Sequence, residues 1–468
     1  MSNTARTDPL IICTSTQYWD EAWFRKQHFM AHLAKTRRVL YVEPSFSILR
    51  RPSAHCPAGS ENKVSRARMR RRLPNLWTLT PPRGLPLWTH PLVSRWQYRL
   101  WGRLLRLAAR RLGHERTWLW LYNPLYVQSR AALQPERLIF DLVDDLGAYQ
   151  AGAYSRPTMQ RCVEDALRHA DLAFTTSSLL AERYAQLTPS GKLHVVPNGV
   201  RGEWIDRGNR EARTDPGGED APGESRVPGQ GGAPGESGAP SQGGAPGESC
   251  VPGQGGAPDE SGAPGQGGAP GESRAPGRGG APVRELPADL RFLPRPWIGF
   301  MGAIFVYLDF DLLLATARAF PDASLVMVGP VQDPQGARRL SRAPNVHFLG
   351  RKPQNQVPDY VGAFDVCLCP FKAGAVRRAV NPLKIYEYLA LGRPVVSTPL
   401  ESLATEPVAQ WIRFAEEPSA FVAAVRETLE GDGPERRAAR RQAVRPYAWE
   451  VLSARVAEIL AAAESDWK

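Results

Sequence analysis

Short apolar runs alternate with amphipathic stretches along most of the chain. LIICT (Leu10 to Thr14) is the first run, AWFRKQHFMAHLAKT behind it has helical spacing, and RVLYVEP returns to apolar character. TWLWLYNP, RLIFDLVDD, DLAFTTS and KLHVVPNGV continue the series. A second series starts at WIGFMG (Trp297 to Gly302), a strand pattern that stops on glycine. DFDLLLATARAF then reads as a helix with Asp309 at its N-cap. ASLVMVG, NVHFLG, FDVCLCPF and RPVVST are further strands, and AFVAAVRETLEG and WEVLSARVAEILAAAESDW are closing helices. Strands that alternate with helices predict parallel, doubly wound sheets. The predicted fold class is α/β, with two Rossmann-like domains facing a cleft. Ligands of such folds sit beyond the carboxyl ends of the strands.

Between the two series the pattern fails. From Ala221 the chain reads APGESRVPGQGG, APGESGAPSQGG, APGESCVPGQGG, APDESGAPGQGG and APGESRAPGRGG, a twelve-residue repeat in five copies. Dense in Gly and Pro, it has almost nothing to bury, so burial cannot offset the entropy of ordering it. Glycine does not recur at every third position, which excludes collagen, and the unit lacks the apolar face of a solenoid repeat. The expected division is an N-terminal acceptor-side domain over 1–207, a disordered linker over 208–283, a C-terminal domain over 284–445, and a last helix over 446–468 that could pack back on the N-terminal domain.

With 468 residues, 42% of them hydrophobic, the chain is long enough for two cores. Its formal net charge of +12 favours anionic partners: nucleotides, nucleic acid or an anionic membrane face. No nucleic-acid recognition motif accompanies the charge, so no specific nucleic-acid partner is expected. The six cysteines include no CxxC pair and no neighbouring His cluster, which argues against a zinc site or disulfide framework and for a reducing cytoplasm. Cys367 and Cys369 alternate on one strand and are expected in the core. MSNTARTDPLIICTSTQYWD lacks the features of a signal peptide, and no run approaches the roughly 20 apolar residues of a spanning helix.

NPLKIYEYLALGRPVVST, from Asn381 to Thr398, carries the densest chemistry. Asn381 suits an N-cap and Pro382 the first helical position, so the free N–H groups from Leu383 onward could hold a diphosphate. Lys384 puts positive charge in the first turn, which is unfavourable unless an anion is near. Glu387, a turn further on, could accept hydrogen bonds from vicinal hydroxyls such as those of a ribose. An amphipathic helix with a Lys384–Glu387 surface pair is the plainer alternative.

PLKIYEYLALGRPVVST resembles the nucleotide-sugar-binding motif of GT-B glycosyltransferases of the family-4-like group, "glycosyl transferases group 1", of the bacterial envelope and capsular polysaccharide type. IGFMGAI, LDFDLLL, LVMVGP, NVHFLGRKP and VPDYVGAFDVCLCPF precede it in the family's order, and RVLYVEP, LWLYNP, FDLVDDLGAY and VPNGV do the same in the N-terminal half. The resemblance implies a GT-B fold and retaining transfer from a nucleoside diphosphate sugar, as co-substrate, to a glycan or lipid-linked acceptor. It implies no resident cofactor and no metal. It gives Glu387 the place of the second glutamate of the family's E-x7-E motif, which holds the donor ribose. The first glutamate falls at position 379, where this chain has Ala379, and the basic residue usual after Gly302 is also absent. Arg377, Arg378 and Lys384, with Lys372, are available to face the diphosphate instead.

FDLVDDLGAY places Asp141, Asp144 and Asp145 at the carboxyl end of a strand. An aspartate there could orient an acceptor or take its proton. Asp144 and Asp145 are the catalytic candidates and Asp141 an acceptor-side one, with helix capping as the alternative. In the first loop, STQYWDEAWFRKQHF, Trp19, Asp20 and His28 are acceptor-side candidates, alongside Arg25, and an ordinary helix-surface histidine is the alternative for His28. PLVSRWQYRLWGRLLRLAARRLG sets Arg95, Arg99, Arg103, Arg106 and Arg110 at helical spacings beside Trp96, Leu100, Leu104 and Leu107. This basic amphipathic segment over 92–112 could lie on an anionic membrane, making the protein peripheral on the cytoplasmic face, or be a Rossmann helix with a solvated arginine face. Two other classes of function stay open: a non-catalytic GT-B relative that binds a nucleotide sugar or a partner, and a GT-B nucleotide-sugar epimerase.

Overall fold

The computed structural model describes residues 8–21, 23–45, 67–84, 90–145, 157–189, 191–214 and 286–467. The twelve-residue repeat, Cys56 and Cys250 lie outside the described residues. The N-terminal half contains β1 (Leu10–Thr14), α1 (Arg25–Leu33), β2 (Val39–Val42), β3 (Arg68–Leu73), β4 (Leu76–Thr80), α2 (Pro91–Arg111), β5 (Thr117–Leu121), α3 (Arg130–Leu133), β6 (Arg137–Leu142), α4 (Pro157–His169), β7 (Leu172–Thr175), α5 (Ser178–Tyr184) and β8 (Leu193–Val195). Its eight strands lie in the order β3-β4-β2-β1-β5-β6-β7-β8. Every pair is parallel except β3 with β4.

The next helix, α6 (Gly202–Thr214), is followed by the second α/β unit: β9 (Trp297–Met301), α7 (Phe310–Ala319), β10 (Ser324–Val328), α8 (Pro334–Leu340), β11 (Val346–Gly350), α9 (Val357–Val361), β12 (Val366–Cys369), α10 (Ala375–Ala379), α11 (Leu383–Ala390), β13 (Val395–Ser397), β14 (Ile412–Phe414), α12 (Pro418–Gly431) and α13 (Pro434–Val444). Its strands run β11-β10-β9-β12-β13-β14, all parallel. The last helix, α14 (Trp449–Asp466), closes the chain.

Apolar clusters cover both faces of each sheet, as buried parallel strands require. Fully burying one such aliphatic or aromatic side chain stabilises by about 1.5–3 kcal/mol. Cys367 and Cys369 both point into the same cluster on β12 and are fully buried. Asp309 caps α7, accepting from the N–H groups of Asp311 and Leu312.

Ahead of α2, RMRRRL forms β3, an antiparallel edge strand turned onto β4. A strand of exposed arginines suits an edge, because its charge resists pairing with another chain. Residues 208–214, expected in the linker, belong to α6, which continues to Thr214. Trp204 and Ile205 join the apolar cluster of the second sheet. Gly208 fits where a Cβ would stand 2.7 Å from the Ala390 carbonyl oxygen, and Arg441 donates to Asn209 at 3.0 Å. Residues from Val200 onward therefore pack with the C-terminal half, ahead of the boundary expected at 207.

The chain crosses between the halves twice, and the crossings are hydrogen-bonded to each other. Val200 N–H donates to the Tyr447 carbonyl at 3.0 Å and Trp449 N–H to the Val200 carbonyl at 2.8 Å. A Cβ on Gly199 would collide with the Tyr447 carbonyl oxygen, so this approach requires glycine. Beyond the second crossing α14 lies on the N-terminal half. Trp449 packs on Phe29, Arg37 pairs with Glu464 at 2.6 Å, and Arg137 donates to the Trp467 carbonyl at 3.1 Å.

Candidate active site

Among its parallel strands each sheet reverses its strand order once, between β1 and β5 in the first and between β9 and β12 in the second. A crevice opens beyond the carboxyl ends of the strands at such a switch point. In the second sheet it lies beyond Phe300 and Met301 of β9 and Phe371 after β12. The Lys384 side chain occupies that place. Its Nζ lies 4.2 Å from the centre of the Phe300 ring and 5.2 Å from that of Phe371. Gly302 has φ 137°, and a Cβ there would stand 3.1 Å from Lys384 Nζ. Glycine at 302 thus serves both the backbone conformation and the lysine's access. Burial lowers the Lys384 pKa, with Cys369 and Glu387 opposing it.

Glu387 sits a turn along α11, half-buried. Burial raises its pKa to about 7, against the charges of Lys384 and Arg201. Neither Lys384 nor Glu387 belongs to an ion pair among the described residues. The helix start carries no side-chain cap. Its N-cap position is Pro382, with ψ 123°, and Leu383 is the first helical residue.

Asn381 is therefore not the cap the sequence suggested. A residue before proline is pushed toward extended backbone, and Asn381 uses its amide across the chain instead. Its Nδ2 donates to the Thr176 carbonyl at 3.2 Å, while its own carbonyl accepts from Asn198 Nδ2 at 2.8 Å. It fastens the start of α11 to the N-terminal half. Arg377 pairs with Glu416 at 2.7 Å, and Arg378 is exposed on α10, whose last residue is Ala379.

On the N-terminal side most of the candidate charges are committed to protein partners. Asp141 is buried against Arg25, whose Nε donates to its two oxygens at 3.0 and 2.9 Å. The same guanidinium donates from Nη1 to the Val196 and Pro197 carbonyls at 2.7 and 3.0 Å. This buried pair ties the end of β6 to α1 and to the strand end at β8. Asp145 is buried too, paired with Arg183 and accepting from Tyr184 Oη at 3.2 Å. Asp20 pairs with Arg72 of β3 at 2.6 Å. Trp19 is a core residue, edge-on to Trp23 and Tyr41 at 5.0 and 5.1 Å.

Asp144 differs. It is half-buried, burial raises its pKa, and the Lys26 ammonium is the largest opposing influence. Lys26 donates to Thr16 Oγ1, lies 5.7 Å from the Tyr122 ring centre beyond β5, and has its pKa lowered to about 8 by burial. His28 stacks on Trp449 at 5.2 Å and meets Trp23 edge-on at 5.4 Å. Burial, helped by Arg201, drives its pKa down to about 3, so the ring is neutral. It is neither a poised base nor a free surface histidine, because α14 covers it.

Lys26 and Arg201 were not singled out from the sequence. Arg201 follows the first crossing and acts on both His28 and Glu387. Glu21, in the first loop, feels Arg351 from just past β11. Charges of the two halves thus face one another across the cleft.

Two α/β units with facing switch points, joined by paired crossings, make this a GT-B fold. Residues 295–431 match the family model described as Glycosyl transferases group 1. TuaH of Bacillus subtilis (strain 168), named for a glycosyltransferase of teichuronic acid biosynthesis, is 33% identical over 160 residues, 33% of this chain and 40% of that one. The chain thus spans about two fifths of the length of the curated relative it matches. Sucrose-phosphate synthase from Thermosynechococcus elongatus superposes with a TM-score of 0.59 at 14% identity, covering 98% of this chain and 100% of that one. HepE from Anabaena, in complex with UDP-glucose, superposes with a TM-score of 0.56 at 12% identity, covering 97% and 99%. At such identities the structures bear out the fold. The family model and TuaH bear out the resemblance drawn from PLKIYEYLALGRPVVST.

Proposed function

We propose that the chain transfers a glycosyl group from a nucleoside diphosphate sugar to a glycan or lipid-linked acceptor in cell-surface polysaccharide synthesis. The observation that carries this reading is Lys384 lying over Gly302 at the β9/β12 switch point, with Glu387 a turn behind it. An ammonium held on aromatic rings is a pre-placed partner for a diphosphate, and the uncapped N–H groups of α11 add donors. The Glu387 carboxylate takes the ribose hydroxyls. Asp144, with Lys26 beside it, faces the acceptor.

In the reaction the bond between the anomeric carbon and the diphosphate oxygen breaks, and one forms from that carbon to an acceptor hydroxyl oxygen. Lys384 and the helix start stabilise the negative charge that grows on the departing diphosphate. Asp144 orients the acceptor hydroxyl and receives its proton; burial raises its pKa, and the Lys26 ammonium works against that rise. By the family resemblance the anomeric configuration is retained. Such an acceptor fits a peripheral protein on the cytoplasmic membrane face, and among the described residues no helix is long and apolar enough to cross the membrane.

Incubating the full chain with nucleotide sugars and a lipid-linked acceptor extract tests the reading. The expected outcome is a glycosylated product and a free nucleoside diphosphate, both lost in Lys384→Ala. Tight nucleotide-sugar binding without turnover would favour the non-catalytic alternative. An epimerised sugar nucleotide would overturn transfer.

A further inference from the structure

One face of α2 serves neither the core nor the cleft. Tyr98, Trp101, Leu105 and Ala109 turn inward onto the first sheet. On the outward side Leu92 is 73% exposed, Trp96 60%, Leu100 47% and Leu107 63%. At about 3.6 residues per turn these four side chains share one arc of roughly 80°, and Arg95, Arg99, Arg103, Arg106 and Arg110 span an arc of similar width that overlaps its edge at Arg103 and Arg110. The helix therefore carries an outward apolar stripe bordered by a cationic one.

Beside the cationic stripe lies a cavity of about 670 Å³, lined by Arg99, Arg103, Arg106 and Arg110 from α2 and by Ala131 and Ala132 of α3. Arg110 approaches Glu115 at 3.5 Å, while Arg99, Arg103 and Arg106 belong to no ion pair among the described residues. Leu107 and Gln134 complete the lining, and among the described residues no acidic side chain belongs to it. Clustered guanidinium groups fit the oxygens of a phosphate ester.

A soluble phosphate compound would explain the arginines but leave the exposed tryptophan and leucines without a role. A helix with Trp and Leu on one arc and Arg on the next suits the headgroup layer of a bilayer, where the apolar stripe enters the acyl region and the arginines stay at phosphate depth. The chain's net charge of +12 has the sign that an anionic leaflet attracts.

We propose that the outer face of α2 docks on an anionic phospholipid membrane. Lipid phosphate groups occupy the arginine cavity, and Leu92, Trp96, Leu100 and Leu107 insert among the acyl chains. The proposal names residues and a headgroup pocket for the peripheral placement, and it does not depend on sugar transfer.

Flotation of the full-length chain with vesicles tests it without any activity assay. The chain should float with phosphatidylcholine vesicles containing phosphatidylglycerol, stay behind with pure phosphatidylcholine, and dissociate as salt is raised. Arg99→Ala, Arg103→Ala and Arg106→Ala combined should weaken binding by roughly a hundredfold, at about fivefold per arginine near a charged surface. Trp96→Ser with Leu100→Ser should leave a weak association that salt removes completely. All are exposed or half-buried positions, so an unchanged unfolding temperature and nucleotide affinity show that each variant is folded. Equal flotation on neutral vesicles, or undiminished flotation of the triple arginine variant, overturns the proposal. Competition by inorganic phosphate at the concentration of lipid phosphate also overturns it, because the site would then be one for soluble anions.

Discussion

In the N-terminal half Asp141 is taken up by Arg25, Asp145 by Arg183 and Tyr184, and Asp20 by Arg72. In the C-terminal half Lys384 rests on Phe300, and Glu387 stands a turn away with its carboxyl pushed up to about 7. Both regions are rich in charge at the carboxyl ends of strands, yet one has used most of it to hold elements together. Residue type and position alone do not separate a ligand-facing carboxylate from a structural one. What separates them is whether the fold supplies the partner. By that criterion the proposed donor side is Lys384 with Glu387, and the proposed acceptor side narrows from three aspartates to Asp144 with Lys26.

The contrast can be broken most forcefully at Asp141. Asp141→Ala leaves the buried Arg25 guanidinium without its carboxylate, which should cost about 3–5 kcal/mol and show as a large drop in unfolding temperature. A folded, stable variant that had lost only acceptor use would reverse the assignment of that pair. Lys384→Ala should do the opposite: little change in unfolding temperature, with kcat/KM falling about 10²–10³-fold. Arg378→Ala, at an exposed position, should stay within about threefold.

Glu387 gives the comparison a pH signature. In the unfolded chain a glutamate ionises near pH ~4.3, and in the folded protein this one ionises at about 7. Between those values the unfolded chain releases a proton that the folded chain keeps, so stability falls as pH rises through this window. Glu387→Gln should flatten that fall in denaturant melts at a series of pH values. Nucleotide affinity should rise in the wild type as the carboxylate forms, from about pH 6 to about pH 8, and stay level in the variant. The smallest effect is expected at His28, whose neutral ring stacks under Trp449. His28→Phe should keep kcat within a few-fold, whereas loss of a general base would cost about 10²–10⁴-fold.

Much of the fold was legible in the hydrophobic pattern, because buried parallel strands are short, apolar and bounded by helices. RMRRRL escaped, since a strand at a charged edge has no apolar face to announce it, and so did the three-residue β14. Residues 208–214 of α6 were assigned to the linker because the glycine at 208 reads as linker until Ala390 and Arg441 are seen against it. At the proposed site, Lys384 and Glu387 stood out as candidates because their spacing relative to a helix start is local. The role of Asn381 could not, since its partners Thr176 and Asn198 are remote in sequence. Lys26 and Arg201 gain meaning only from Asp144 and Glu387, which folding brings within electrostatic reach.

The central claim is that Glu387 holds a ribose whose diphosphate lies on Lys384. Calorimetric titration of the wild type and Glu387→Ala with a nucleoside diphosphate and its 2′,3′-dideoxy analogue tests it directly. The wild type should prefer the ribonucleotide by at least about tenfold, as two hydrogen bonds to a carboxylate allow, and Glu387→Ala should bind both alike. Equal discrimination by the two proteins would contradict the account.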